Sequence, residues 1–215
     1  KRQVYGFVGI DSIAGPSEIM VVCDREDIPV EFLVRDLLSQ AEHDPDAGAV
    51  LVTTSRGQAE TVAKRLEELI PTLPRKEILE ESFRKRSGII VAENLEEIFD
   101  AINEIAPEHL EIFGYEGMTL ETKIDNAGAI FIGKNSPEVF GDYCAGPNHV
   151  LPTSGSAKYA SPLGVYDFLK RTSLMKISPA HSRELSSTAS LLADCEGLTA
   201  PVSYTHLTLP TNQCV

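Results

Sequence analysis

Short apolar runs of strand length alternate with amphipathic stretches of helical period from Glu18 to Ile132, and few folds accept that order. Glu18–Cys23 reads as a buried strand, and Ile28–Pro29 leads into a helical pattern from Val30 to about His43, with Phe32, Leu33, Asp36 and Leu37 at helical spacing. Asp44–Pro45–Asp46 stops that helix, because proline disfavours helix in the residue before it. Ala49–Thr53 is a second strand. Gln58–Leu69 follows as an amphipathic helix with Val62, Leu66 and Leu69 on one face, and Lys76–Lys85 as a third, short helix. Gly88–Ala92 reads as a strand, then a helix to about Ile105, capped by Asn94 with Glu97 in the N3 position of a capping box. Leu110–Phe113 and Ala129–Ile132 are the next strands. Strand and helix alternating at this spacing predict an α/β fold, a Rossmann-like open sheet with mainly parallel strands. From Ser161 onward the character turns mostly helical, with a strand near Leu174–Ile177, and a small C-terminal appendage is expected there.

Composition narrows the function classes. Apolar residues at 42% and charged residues at 24% fit a soluble globular protein. With 19 Lys and Arg against 32 Asp and Glu, the net charge of -13 is the reverse of what a nucleic-acid-binding surface needs. No apolar run is long enough to span a membrane, and the first residues lack the core of a signal peptide, so a cytoplasmic protein is expected. Cys23, Cys144, Cys195 and Cys214 form neither a zinc knuckle nor a redox pair and read as reduced thiols. The chain has no initiating Met, which suggests preceding sequence. The stretch Pro201–Val215 breaks abruptly from the helical pattern around Leu191–Ala193 and looks like read-through into foreign sequence. The expected organisation is therefore a remnant of a preceding domain over 1–16, an α/β domain over 17–163, a small C-terminal segment over 164–200 and a non-native tail over 201–215.

Four polar clusters can carry chemistry. Gln40 and His43 lie three apart at a helix end, so an amide oxygen and an imidazole can grip one zinc ion, although a histidine there also serves as a helix cap. Glu108 and His109 stand just before a strand and can supply a base and a proton shuttle, or be an ordinary surface pair. The loop Gly141–Thr153 is dense in Gly, Pro and polar groups; Asp142 can ligate a metal and His149 can bind a substrate, and both can equally be turn chemistry. Ala14–Glu18 is a tight turn feeding a strand.

The segments IAGPSE, DLLSQAEHDPDA, APEHLE and GDYCAGPNHVLPT stand in this order and at these separations, and over Lys1–Ala200 the chain resembles the histidinol dehydrogenase family. That resemblance implies a homodimeric enzyme that oxidises L-histidinol through the aldehyde to L-histidine, with two NAD and one zinc per site. It implies Gln40, His43 and Asp142 as zinc ligands and Glu108 and His109 as the catalytic pair. Ser17, His149 and Glu196 become substrate contacts, with Gln40, His43, His109 and Asp142 beside the substrate. His109 would take the hydroxyl proton, and Glu108 would then activate water against the aldehyde.

Two departures from the family pattern stand out. The family's last zinc ligand is a histidine after a Leu-Thr-Ala segment, supplied across the dimer, whereas here Leu198–Thr199–Ala200 is followed by Pro201; His206 is a poor substitute. The family's NAD-contacting segments precede Lys1, so little or no activity is expected from this chain alone. The rival reading is a non-enzymatic metal- or histidine-binding module that keeps Gln40, His43 and Asp142 and dispenses with Glu108.

Overall fold

A computed structural model describes residues 1–114 and 122–198. Thr199, Ala200, Pro201, His206, Cys214 and the rest of the tail lie outside the described residues, and with them the expectations about the missing histidine ligand and the foreign tail.

Strand β1, Glu18–Cys23, is buried at every position but its first. A strand covered on both faces reads as a continuous apolar run rather than an alternation, which is why this segment stands out in the sequence. There follow α1 (Val30–Ala41), β2 (Gly48–Thr53), α2 (Arg56–Leu69), α3 (Lys76–Lys85), β3 (Gly88–Val91) and α4 (Leu95–Ile105). The remaining elements are β4 (His109–Phe113), β5 (Ala129–Ile132), α5 (Glu138–Tyr143) and α6 (Pro179–Cys195). The strands form one sheet in the order β3-β2-β1-β4-β5, and every pairing is parallel. The expected open α/β sheet is therefore present.

The side chains of β1 divide between two cores, as the period of two dictates. Ile19, Val21 and Cys23 pack with Leu33 and Leu37 of α1, Val62 and Leu66 of α2 and Leu79 of α3. Met20 and Val22 turn to the other face and pack with Ile98, Phe99 and Ile102 of α4 and with Leu110 and Ile112 of β4. Parallel strands joined through helices all start at the same edge of the sheet, so residues just before or at the start of β1, β4 and β5 become neighbours. The register makes this concrete: Ile19 pairs with His109, and His109 with Ala129.

Three expectations need correction. Helix α1 ends at Ala41, before His43, which lies in the turn that Asp44 and Pro45 complete. The segment Leu174–Ile177 is not a strand: it runs as coil, with Leu174 and Met175 exposed, because a strand needs a ladder partner and none of the described residues pairs with it. Nor is the stretch after Ser161 mostly helical before α6; apart from the short turn Val165–Phe168, Pro162, Gly164 and their surroundings keep it irregular. The chain divides into two compact units, Lys1–Phe168 with the sheet and Leu169–Val215 with α6. No helix among the described residues is long and apolar enough to cross a membrane.

The capping box of α4 forms with a variation. Asn94 accepts a hydrogen bond from the Glu97 N–H at 3.1 Å, and Glu97 accepts from the N–H of Glu93, one residue further back than the usual box, at 2.9 Å. Asn94→Ala should lower stability by about 1 kcal/mol, read as a lower urea midpoint with an unchanged slope; an unchanged midpoint would show that the cap contributes nothing.

Candidate active site at the amino edge of the sheet

Helix α4 stops in a left-handed residue, Ala106, with φ 53°. The chain then turns through Pro107 so that Glu108 and His109 arrive at the start of β4, both buried. Next to them runs β1, whose first residue supplies main-chain partners to both. The N–H of Glu18 donates to the Glu108 carboxylate at 2.9 Å, and the carbonyl of Glu18 faces His109 Nδ1 at 3.0 Å. A carbonyl only accepts, so the ring proton belongs on Nδ1 and Nε2 presents a lone pair. That lone pair points toward Asp142 at 3.2 Å and Glu138 at 3.6 Å.

The other walls come from helices α1 and α5 and the loops beside them. Gln40, 1% exposed in the last turn of α1, brings its side-chain amide to 3.3 Å from His109 Nδ1. His43, in the turn beyond, is exposed and pairs through Nδ1 with the Ser39 carbonyl at 2.9 Å. Glycine at 128 lets the chain entering β5 pass the pair closely, since a Cβ there would lie 2.5 Å from the Glu108 carbonyl oxygen. Gly141 does the same for α5, where a Cβ would sit 2.6 Å from the Phe131 ring. Phe131 in turn lies beside His109, with ring centroids 6.1 Å apart. Asp142 and the exposed His149 also line a cavity of about 330 Å³ together with Phe131, Leu163 and Tyr166, a volume in the range of small-molecule sites.

Of the residues singled out from sequence, Gln40, Glu108, His109 and Asp142 form one contact network, with His43 at its rim and His149 on the adjoining cavity. Ser17 is half-buried immediately before Glu18, and its carbonyl accepts from the Gly48 N–H at 2.9 Å. Glu196 closes α6 in the second unit and is exposed. Sequence reasoning missed Glu138, which is buried against His109 and Asp142, and it missed Glu111 and Asp36 behind it. A carboxylate inside the apolar strand His109–Phe113 was the available signal, because an unpaired buried charge costs several kcal/mol.

The electrostatics follow from this crowding. Burial, reinforced by the neighbouring carboxylates of Glu18 and Asp142, pushes Glu108 up to about 7, against the hydrogen bond from Glu18 that favours its charge. Burial raises Glu111 and Glu138 as well, and adjacent carboxylates add to it. Burial lowers His109, so the ring stays neutral at neutral pH. Glu108, Glu138 and Asp142 all approach this neutral ring, at 3.6, 3.6 and 3.2 Å. Ligand atoms of His109, Glu138 and Asp142 converge within 4.8 Å of one another. The C-terminal end of α1, with its partial negative charge, ends at the same place. A mixed nitrogen and oxygen donor set, rich in negative charge, fits a divalent cation.

Comparisons with known proteins identify relatives of the chain. The family profile described as histidinol dehydrogenase matches residues 1–205. The histidinol dehydrogenase of Dechloromonas aromatica (strain RCB) is 52% identical over 200 residues, covering 93% of this chain and 46% of that protein. The histidinol dehydrogenase of Thiocapsa roseopersicina is 49% identical over 93% of this chain and 85% of its own length. The crystal structure of histidinol dehydrogenase from Elizabethkingia anophelis superposes with a TM-score of 0.79 at 34% identity, over 94% of this chain and 46% of that one. The chain thus spans about half the length of most of the curated relatives it matches.

Glu108 gives the folded state a pH signature. Unfolded, it titrates near its ordinary value of 4.5; folded, near 7, so the fold favours its protonated form. Stability from this group is full below pH 4.5 and is lost as pH rises through 7. In metal-free protein the urea midpoint should fall between pH 5 and pH 8, and Glu108→Gln should shrink that fall. An identical fall in the variant would mean that Glu108 is not the buried acid described.

Proposed function

This chain belongs to the histidinol dehydrogenase family, and on that premise we propose that it carries the catalytic and metal-holding half of an enzyme that oxidises L-histidinol through the aldehyde to L-histidine. The observation that supports this best is the Glu108–His109 pair, buried side by side on the main chain of Glu18 with the His109 Nε2 lone pair open toward Asp142.

The roles follow from the tautomer and the titration of the pair. With its proton on Nδ1 and held by the Glu18 carbonyl, His109 accepts the substrate hydroxyl proton at Nε2. The ring cannot turn away without losing that bond. Glu108, titrating near 7, is ionised in a large fraction of molecules at neutral pH and can take a proton from water for attack on the aldehyde. Its carboxylate needs no large change in solvation to do so, because the Glu18 N–H already stabilises its charge. The cavity beside Asp142 shelters the aldehyde, with His149 on its wall as a substrate contact. Ser17 and Glu196 complete the proposed substrate contacts.

Gln40, His43 and Asp142 are the proposed zinc ligands, and zinc bound there would orient L-histidinol and hold its carbinol carbon in place. Glu138 stands behind that set, its buried carboxyl beside Gln40 and Asp142. NAD would accept the hydride of each oxidation and would be held by the preceding half of the enzyme rather than by the residues described. The loop leaving the carboxyl end of β1, where a sheet of this kind usually takes a dinucleotide, carries Asp24, Glu26 and Asp27, which repel a pyrophosphate. The intact enzyme would be a cytoplasmic homodimer. A mere binding module has no use for Glu108 beside His109, so the enzyme is the stronger reading.

In the 215-residue chain, His43→Ala and Asp142→Ala should each weaken zinc binding about tenfold or more, measured by competition with a chromophoric chelator. Glu108→Gln should leave it unchanged within about twofold, since this carboxylate is outside the ligand set. In a full-length protein carrying these residues, Glu108→Gln should slow histidinol-dependent NADH formation about a hundredfold or more. Equal turnover by variant and parent would remove Glu108 from the chemistry. The chain alone, given zinc, NAD and L-histidinol, should form no NADH; sustained formation would overturn the division of labour proposed.

A further inference from the structure

We propose that Glu111 is a positioning residue of this site: its buried carboxyl caps α5 from the neighbouring face of the sheet and so sets Glu138 and Asp142 against His109. Glu111 stands two residues after His109 on β4, and strand geometry turns both side chains to the same face. It is 1% exposed, in a strand whose other positions past His109 are apolar. Burying a carboxyl there weakens the fold unless it serves a second purpose.

Its contacts show what that purpose is. One oxygen accepts the N–H of Glu138 at 2.5 Å. The first N–H groups of a helix have no partner within it, and α5 begins after Pro137, which offers no side-chain cap. A helix of six residues is too short to hold itself in place, so a partner from another element decides where it lies. Gly141 packs the far side of this turn onto Phe131, and between these two fixings Glu138 and Asp142 face the His109 ring. The second oxygen of Glu111 is buried without an ordinary hydrogen bond and neighbours the Asp36 carboxyl. A neutral group at this place can therefore accept from Glu138 with one atom and donate toward Asp36 with the other, which a glutamine amide also does.

This inference rests on the reading above for the identity of the metal, while the capping geometry stands apart from it. The test uses the 215-residue chain with Glu111→Gln and Glu111→Leu, each checked for folding by circular dichroism. Two quantities are read: hydrogen exchange of the Glu138 amide by NMR, and zinc affinity by chelator competition. Glu111→Leu should speed exchange at Glu138 and weaken zinc binding, each about tenfold or more. Glu111→Gln should stay within about twofold of the parent on both, because it keeps the acceptor. If Glu111→Leu does not fold, Glu111→Ser, too short to reach Glu138, carries the same expectation. Wild-type behaviour of the Leu or Ser variant overturns the proposal, as does a Gln variant as damaged as Leu, which would make charge rather than capping the requirement. If the parent itself takes up no zinc, the metal reading fails, and exchange at Glu138 alone decides whether Glu111 positions α5.

Discussion

The parallel pairing of β1 with β4 is the constraint on which the site depends. It sets Ile19 opposite His109 and so puts the main chain of Glu18 against the side chains of Glu108 and His109. Shift that register by one residue and His109 turns to the opposite face, losing the Glu18 carbonyl, Gln40 and Asp142 together. The apolar groups of β1 on both faces resist such a shift, because each belongs to a separate packed core. Burial that reads as simple stability thus also fixes the chemistry to within hydrogen-bond tolerance.

The polar cluster lies at the amino edge of the sheet, not at the carboxyl edge where open α/β sheets usually hold ligands. Two features make that edge suitable. Helix α1 runs back against the strands and ends there, presenting the negative end of its dipole along with Gln40. The carboxyl edge instead carries Asp24, Glu26 and Asp27, with Arg25 turned onto Asp27. One sheet thus has a buried acidic cluster suited to a cation at one end and an exposed acidic loop unsuited to phosphate at the other.

Much of this was legible in the sequence, for identifiable reasons. The elements of the sheet showed because central parallel strands are continuous apolar runs and the helices between them are amphipathic. The α4 cap showed because Asn94 and Glu97 have a local signature, although the bond to Glu93 did not. The motif segments led to Gln40, Glu108, His109 and Asp142, which do meet. Glu138 stayed hidden because nothing local distinguishes a glutamate after proline from a surface residue; only the fold brings it to His109. Glu111 could have been suspected, since a charged group inside a buried strand is costly, but its partner is 27 residues away. The Leu174–Ile177 segment failed for the opposite reason: apolar character was present, and a pairing partner was not.

Both partners that Glu18 offers Glu108 and His109 are peptide groups, while its own carboxylate is occupied elsewhere, accepting from the N–H of Ser154. The contacts that orient Glu108 and His109 therefore persist with any amino acid at position 18 except proline, which has no N–H to donate. An alanine scan would register the lost hold on Ser154 and the lost carboxylate that helps to raise Glu108, but not the orienting bonds. Genetic drift at that codon leaves the orienting bonds intact so long as the strand remains paired. The most consequential residue for aligning this site is thus one whose importance side-chain mutagenesis is poorly placed to detect, and which only an edit to the backbone itself would expose.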